Sequence, residues 1–179
     1  MATSNDPIVT GLFSDRTSAE RAYESAASRG YGRDDFHLVM SEDARRKHFG
    51  DPAAGETELG NKAAKGAGVG GGIGATVGGV IAAIAAIGTS IAIPGLGLVV
   101  AGPLAAGIAG AGAGALAGGI VGALVGWGIP EERVKRYEAG IRSGDILMGV
   151  RPRSAEDAEY LEREWSRSGR DIYRSPARV

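Results

Sequence analysis

From Gly66 to Pro130 this chain runs 65 residues without one Asp, Glu, Lys, Arg or His. A stretch that long and that uncharged has to be buried inside a bilayer or inside a tight multi-chain assembly. It holds 21 of the 31 Gly and 16 Ala, with Ile, Val and Leu filling most of the rest. The small residues are spaced, not scattered. Gly66, Gly70, Gly74, Gly78, Ala82, Ala86 and Ser90 fall at every fourth position, and Gly102, Ala106, Gly110, Gly114, Gly118, Gly122 and Gly126 do so again. On a helix such a column lies along one side, where a second backbone can approach closely; this is the extended form of small-xxx-small packing, with crossings near −40°. Ile93-Pro94-Gly95-Leu96-Gly97 separates the two columns, so the pattern predicts a helical hairpin over 66–129 with Pro94 and Gly95 at its turn.

Each arm is long enough to cross a bilayer, which takes ~20 largely apolar residues. Gly66–Ile93 supplies 28 and Leu98–Ile129 supplies 32, although Pro103 delays or kinks the start of the second. In water each Gly costs a helix ~0.8–1.0 kcal/mol relative to Ala, about 20 kcal/mol for the whole block, so free-standing surface helices are excluded. The flanks fit a membrane: Lys62 and Lys65 precede the first arm, Arg133, Lys135 and Arg136 follow the second, and the tip carries no charge. Positive flanks place both termini on the cytoplasmic side, and Trp127 stands where an interfacial anchor belongs. Gly and Ala are only weakly apolar, however, so a re-entrant hairpin or a soluble assembly with a dry shared core remains the alternative. Met1–Pro7 is polar and lacks the apolar core of a signal peptide.

All the charge sits outside the block, 20 Lys and Arg against 21 Asp and Glu. Residues 1–49 read as a strand from Pro7 to Phe13, a helix capped by Ser14 or Asp15 and ended by Gly30, a second strand over Phe36–Met40, and a short charged helix from Ser41 to Phe49. Residues 50–65 are a polar linker. Residues 130–179 open with a helix in which Pro130 takes the first position, Glu131 and Glu132 the first turn, and Val134, Tyr137 and Ile141 one face before Gly144. Asp145–Val150 is then a strand. Ser154 caps a helix with Asp157 three residues on, a shorter-armed capping box, and Ala158, Leu161 and Trp165 form its stripe. Gly169 ends that helix and Asp171–Tyr173 supplies a last strand. The two outer parts echo each other: Ile8-Val-Thr-Gly-Leu against Ile146-Leu-Met-Gly-Val, and Ser18-Ala-Glu against Ser154-Ala-Glu. Two βαβ halves of this kind give an α+β, ferredoxin-like split pair, here interrupted by the hydrophobic hairpin.

Chemistry is scarce. With no Cys there are no disulfides, thiol nucleophiles or thiolate metal sites, and two His, His37 and His48, cannot make a multi-His site alone. A net charge of −1 argues against nucleic acid. Gly66-x-Gly68-x-x-Gly71 matches a dinucleotide fingerprint literally, but no strand precedes it and the Gly pattern runs on. Gly55–Lys62 lacks the Gly-Lys-Ser/Thr of a phosphate loop. His37 lies in an apolar strand and reads as structural. Glu42-Asp43 and Arg45-Arg46-Lys47 read as a solvated helix face, and Asp34-Asp35 as a strand entry. No nucleophile–base constellation is placed, so the sequence predicts no enzyme, no cofactor and no metal.

The Gly hairpin with Ala92-Ile-Pro-Gly-Leu-Gly97 at its turn, then Gly128-Ile-Pro-Glu-Glu132 and Lys135-Arg-Tyr-Glu-Ala-Gly140, resembles bacterial general-stress-protein-like proteins. The resemblance covers most of the chain and brings no active site with it. It implies a bacterial, stress-associated protein that is membrane-related or self-associating. The expectation is therefore a non-enzymatic structural protein that anchors in the inner membrane, self-associates through the hairpin, and displays an α+β domain in the cytoplasm. Its expected partners are further copies of itself and the lipid bilayer; the alternative is a soluble, cytoplasmic homo-oligomer or filament.

Overall fold

The computed structural model describes residues 7–49, 91–93, 97–102, 121, 124, 125 and 129–176. Over these residues the protein is α+β, an antiparallel sheet covered on both faces.

The N-terminal unit is β1 (Val9–Phe13), α1 (Arg16–Ala27) and β2 (Phe36–Ser41). Asp15 caps α1, its carboxylate accepting the Ser18 N–H at 2.8 Å. That bond, ahead of the hydroxyls around it, holds the Asp15 pKa below its ordinary value. Ala19, Ala22, Tyr23 and Ala26 form the buried stripe of α1. Ser41 then caps α2 (Glu42–Phe49) by accepting the Ala44 N–H at 3.1 Å.

The central block departs from the helical expectation where its two arms were to meet. Ile91–Ile93 is β3 and Leu98–Ala101 is β4, paired antiparallel with Ile93 opposite Leu98. β4 in turn pairs with β2, from Leu98↔Ser41 to Ala101↔Leu38. The chain does reverse between Ile93 and Leu98, but it joins strands and not helices. The reason is local: Leu98-Val99-Val100 favours the pleat, and β2 has backbone groups on that side that need partners. Gly102, placed by its spacing in the second helical column, ends β4 with φ +91, and a Cβ there would overlap the Phe36 carbonyl oxygen. It is small because the backbone turns tightly against β2.

After the block comes α3 (Glu131–Arg142). Pro130 is its N-cap and not its first helical residue; its φ is −59 and ψ 143, and its carbonyl accepts the N–H of Arg133 and Val134. The C-terminal unit follows as β5 (Ile146–Val150), α4 (Ala155–Trp165) and β6 (Arg170–Arg174). Ser154 caps α4, accepting the Asp157 N–H at 3.0 Å.

The strand order is β3-β4-β2-β5-β1-β6. The two strand–helix–strand units interlock: β5 lies between β1 and β2, and β1 lies between β5 and β6. Strand alternation divides the core. On the first face Val9, Phe13, Phe36, Leu38, Met40, Ile146, Met148 and Val150 pack with the stripes of α1 and α4. Trp165 is at the centre, edge-on to Phe13 at 5.6 Å, with its indole N–H donated to the Ala22 carbonyl at 3.0 Å. On the second face Ile8, Leu12, Val39, Leu98, Val100 and Leu147 are covered by Val134, Tyr137 and Ile141 of α3 and by Leu124 and Ile129. The block bounded at 66–129 thus contributes β3 and β4 to the same sheet, and Leu98, Val99, Val100, Leu124 and Ile129 to its core.

Two predictions follow from the part that the block plays in the fold. Deleting 66–129 behind a flexible linker removes β4 and part of the cover of the second face, so the shortened protein should lose its cooperative thermal transition; retention of that transition would show that the outer halves fold unaided. Gly102→Ala should cost about 2 kcal/mol or more in urea unfolding, since it adds a backbone overlap to the positive φ. Gly97→Ala, at φ +61 with nothing within 4 Å of the new methyl, should cost only about 1 kcal/mol. Equal losses would remove the packing role of Gly102.

Candidate functional site

The second sheet face carries a row of polar positions that β-periodicity alone reads as core. His37 is opposite Gly149, Gly149 is opposite Thr10, and Thr10 is opposite Tyr173. His37 and Thr10 share the parity of Val39 and Leu12, so they lie on the face covered by α3. Thr10 is wholly buried and His37 is 6% exposed. Tyr137 reaches down from α3 and places its hydroxyl 2.8 Å from Thr10 Oγ1. The same hydroxyl donates to the Asp171 carbonyl at 3.0 Å. Asp171 has φ 51, and the β1–β6 register shifts between Thr10 and Leu12, so this carbonyl belongs to a distorted part of the sheet edge. Arg133 lies over the Tyr173 ring at 4.5 Å and donates to the Asp171 carbonyl at 3.5 Å. Burial raises the Tyr137 pKa, which keeps the hydroxyl a donor. Burial, and after it the nearby Arg151 charge, lowers the His37 pKa to about 4, with Asp35 opposing. His37 is neutral at pH 7.

A second polar cluster joins the two halves at one end of the sheet. Tyr31 donates its hydroxyl to Asp157 at 2.8 Å, and Arg29 donates to the other carboxylate oxygen at 2.6 Å. The Tyr31 oxygen accepts the Arg153 N–H at 2.7 Å, and the Arg153 guanidinium pairs with Asp35 at 3.0 Å. Arg29 also lies 4.1 Å over Tyr160 and Arg153 lies 4.5 Å over Tyr31. The Tyr31 and Arg29 donors hold the Asp157 pKa below its usual value. Asp157, three residues after the Ser154 cap, thus turns its carboxylate to α1's C-terminal loop and not back to the cap.

Of the residues singled out by spacing, Gly66, Gly70, Gly74, Gly78, Ala82, Ala86, Pro94, Gly95, Ala106, Gly110, Gly114, Gly118, Gly122, Gly126 and Trp127 lie outside the described residues. Next to the last of them the backbone is helical at Val121, Leu124 and Val125. Leu124 is buried, and Val121 and Val125 are the exposed large hydrophobics among the described residues. Among those residues no helix is long and apolar enough to cross a membrane. Nor is any group of three or more His, Asp or Glu placed there to hold a metal ion. Asp35 accepts the Gly32 N–H at 2.8 Å, as a strand entry should. Glu42 and Asp43 pair with Arg46 on an exposed helix face, at 3.3 and 2.7 Å. His48 meets Phe49 edge-on at 6.4 Å. Thr10 and Tyr31 were not singled out from sequence, and Asp157 was singled out only for the capping box, because the partners that matter here are more than a hundred residues away.

No protein-family model matches this chain, and comparison with curated proteins and with solved structures gave no match either.

The two clusters tie segments distant in sequence to one another across the sheet. Tyr31→Phe and Asp157→Asn should each cost about 1–3 kcal/mol in urea unfolding at pH 7. Together they should cost less than the sum, with a coupling of about 0.5–3 kcal/mol. Strict additivity would show that the two groups act separately. The contribution of Asp157 is present above the ordinary carboxylate pKa and is lost as pH falls through its lowered folded value.

Proposed function

We propose that this is a non-enzymatic assembly protein, in which copies associate through the Gly/Ala columns and an α+β platform faces the solvent. The observation that carries the reading is where the central block is tied. Its midpoint is β3–β4 at one edge of the sheet, and its C-terminal end is held by Leu124 and Ile129 on the second face. A helix crossing a bilayer would put its ends ~30 Å apart on opposite sides. Here the described residues on either side of 103–120, Gly102 and Leu124, both lie against the sheet, which favours a dry protein core over a spanning hairpin. The exposed Val121 and Val125 beside the second column supply apolar surface for such a core.

The order β2-β5-β1-β6, with α1 and α4 on one face, supports the ferredoxin-like reading of the outer halves. The general-stress-protein resemblance supports a bacterial, stress-associated protein that is membrane-related or self-associating. A second reading keeps the membrane: 65 residues without charge suit shallow, re-entrant burial at the inner leaflet, with both termini cytoplasmic.

Fractionation of the untagged protein, with a carbonate wash and sizing of the supernatant, separates the two. A large lipid-free particle is the expected result; a carbonate-resistant pellet would put the protein in the membrane. Gly114→Leu should shrink the particle, since the backbone approach depends on a missing side chain. Ile84→Leu, off the column, should leave it intact, and equal effects would remove the columns from the interface.

A further inference from the structure

We propose that Asp171 keeps the β6 edge of the sheet from recruiting a second copy of this chain, by bulging the strand and turning one of its carbonyls onto α3. Among the described residues β6 ends the strand order, and Arg170 at its start is exposed. Such an edge offers a row of backbone N–H and C=O groups to any other strand. Ile172 and Tyr173 favour the pleat, so residue type alone would leave β6 open to addition.

Three observations close it. The β1–β6 register passes from Thr10↔Tyr173 to Leu12↔Arg170, so Gly11 on β1 faces two residues, Asp171 and Ile172, on β6. That is a bulge, and Gly11 makes room for it, since a Cβ there would overlap Ile172 Cδ1. Asp171 has φ 51, in the left-handed region where Gly is the usual occupant. Next, the Asp171 carbonyl accepts the Tyr137 hydroxyl at 3.0 Å and the Arg133 guanidinium at 3.5 Å. A carbonyl oxygen has two lone pairs, and α3 engages both. A strand added along β6 would find that acceptor taken and the backbone beside it bent out of line. Finally, Arg170 and Arg174 flank the bulge. An antiparallel copy centred on Ile172 would set Arg170 against Arg174 twice, and like charges directly opposite are destabilising. Arg170 cannot swing clear without giving up Asp145, which is buried.

A residue held at positive φ within a strand persists only where its surroundings over-determine it. Here they do: Tyr137 and Arg133 fix the carbonyl, and Arg136 lies 3.8 Å from the Asp171 carboxylate.

Sizing and amide hydrogen exchange on the full chain test this. Asp171→Val, whose branched side chain disfavours positive φ, should flatten the strand. It should shift the protein to larger species as concentration rises, with amides over 170–174 gaining protection and α1 and α4 keeping theirs. Asp171→Gly, which holds the same φ, should stay at wild-type size. Three outcomes would each overturn the proposal: Asp171→Val at wild-type size with α1 and α4 protected, larger species with no gain over 170–174, or Asp171→Gly growing as much as Asp171→Val. If Asp171→Val loses protection in α1 and α4, Tyr137→Phe decides, since it frees the carbonyl and leaves Asp171 in place. Growth with protection over 170–174 then supports the guard, and wild-type size sinks it. The Gly/Ala columns are untouched in all three variants, so failure here leaves the assembly reading standing.

Discussion

The fold depends on β5 pairing with both β1 and β2. All five residues of Ile146–Val150 are buried, with Ile146, Met148 and Val150 turned to one face and Leu147 to the other. β1 in turn lies between β5 and β6, so each unit lends the other a strand flanked on both sides. Until β5 inserts, β1 and β2 have no common neighbour, and β6 has no partner except through β1. The insertion closes a loop of roughly a hundred residues from Ser41 to Ile146. Loop entropy grows slowly with length, so this closure costs only about 2 kcal/mol more than closing ten residues. A long insertion between the halves is therefore thermodynamically tolerable, provided that the strands it separates bury enough when they meet.

The insertion also serves the sheet. A six-stranded sheet that buries both faces needs cover on both, and α1 and α4 supply only one. α3 supplies most of the other, and its height above the sheet is set by Gly140. A Cβ at that position would lie 2.5 Å from Leu12 Cδ1 and 2.8 Å from Asp145 Oδ2. That close approach lets the Tyr137 hydroxyl reach Thr10 and the Asp171 carbonyl at once. Asp145, almost fully buried below the end of α3, is paired with Arg170 of β6, so the helix, the central strand and the sheet edge are tied by charge as well as by packing. Buried polar partners of this kind are costly to leave unmatched, which makes them register devices.

The outer elements were legible because each has a local cause. Asp15, Ser41 and Ser154 mark helix starts by their own hydrogen bonds, and Val134, Tyr137 and Ile141 show their face by spacing alone. The order of the strands was not legible, since no residue in β1 encodes that β5 and not β2 lies beside it. The centre misled for a definite reason. A four-residue period in Gly and Ala states where a helix could pack but not where it ends, and Leu98-Val99-Val100 was assigned to the arm although its β-branched residues suit a strand. Gly102 fitted the period and serves another purpose, which only its φ and the Phe36 carbonyl reveal. His37 was read as structural, and its burial agrees; what sequence could not supply was the cover above it.

Between Gly102 and Leu124 the chain has about twenty residues, roughly 30 Å as a straight helix. One end is held at β4, the second strand from the edge, and the other on the face above β2, β5 and β1. Neighbouring strands are ~4.8 Å apart, so the six-strand sheet is itself roughly 25 Å wide. The two anchor points are one to three strand spacings apart along the sheet, about 5–15 Å, well short of that helical length. Small residues at every fourth position are suited to that situation, because a helix held close to a second backbone along its whole length needs a continuous groove and not a single notch.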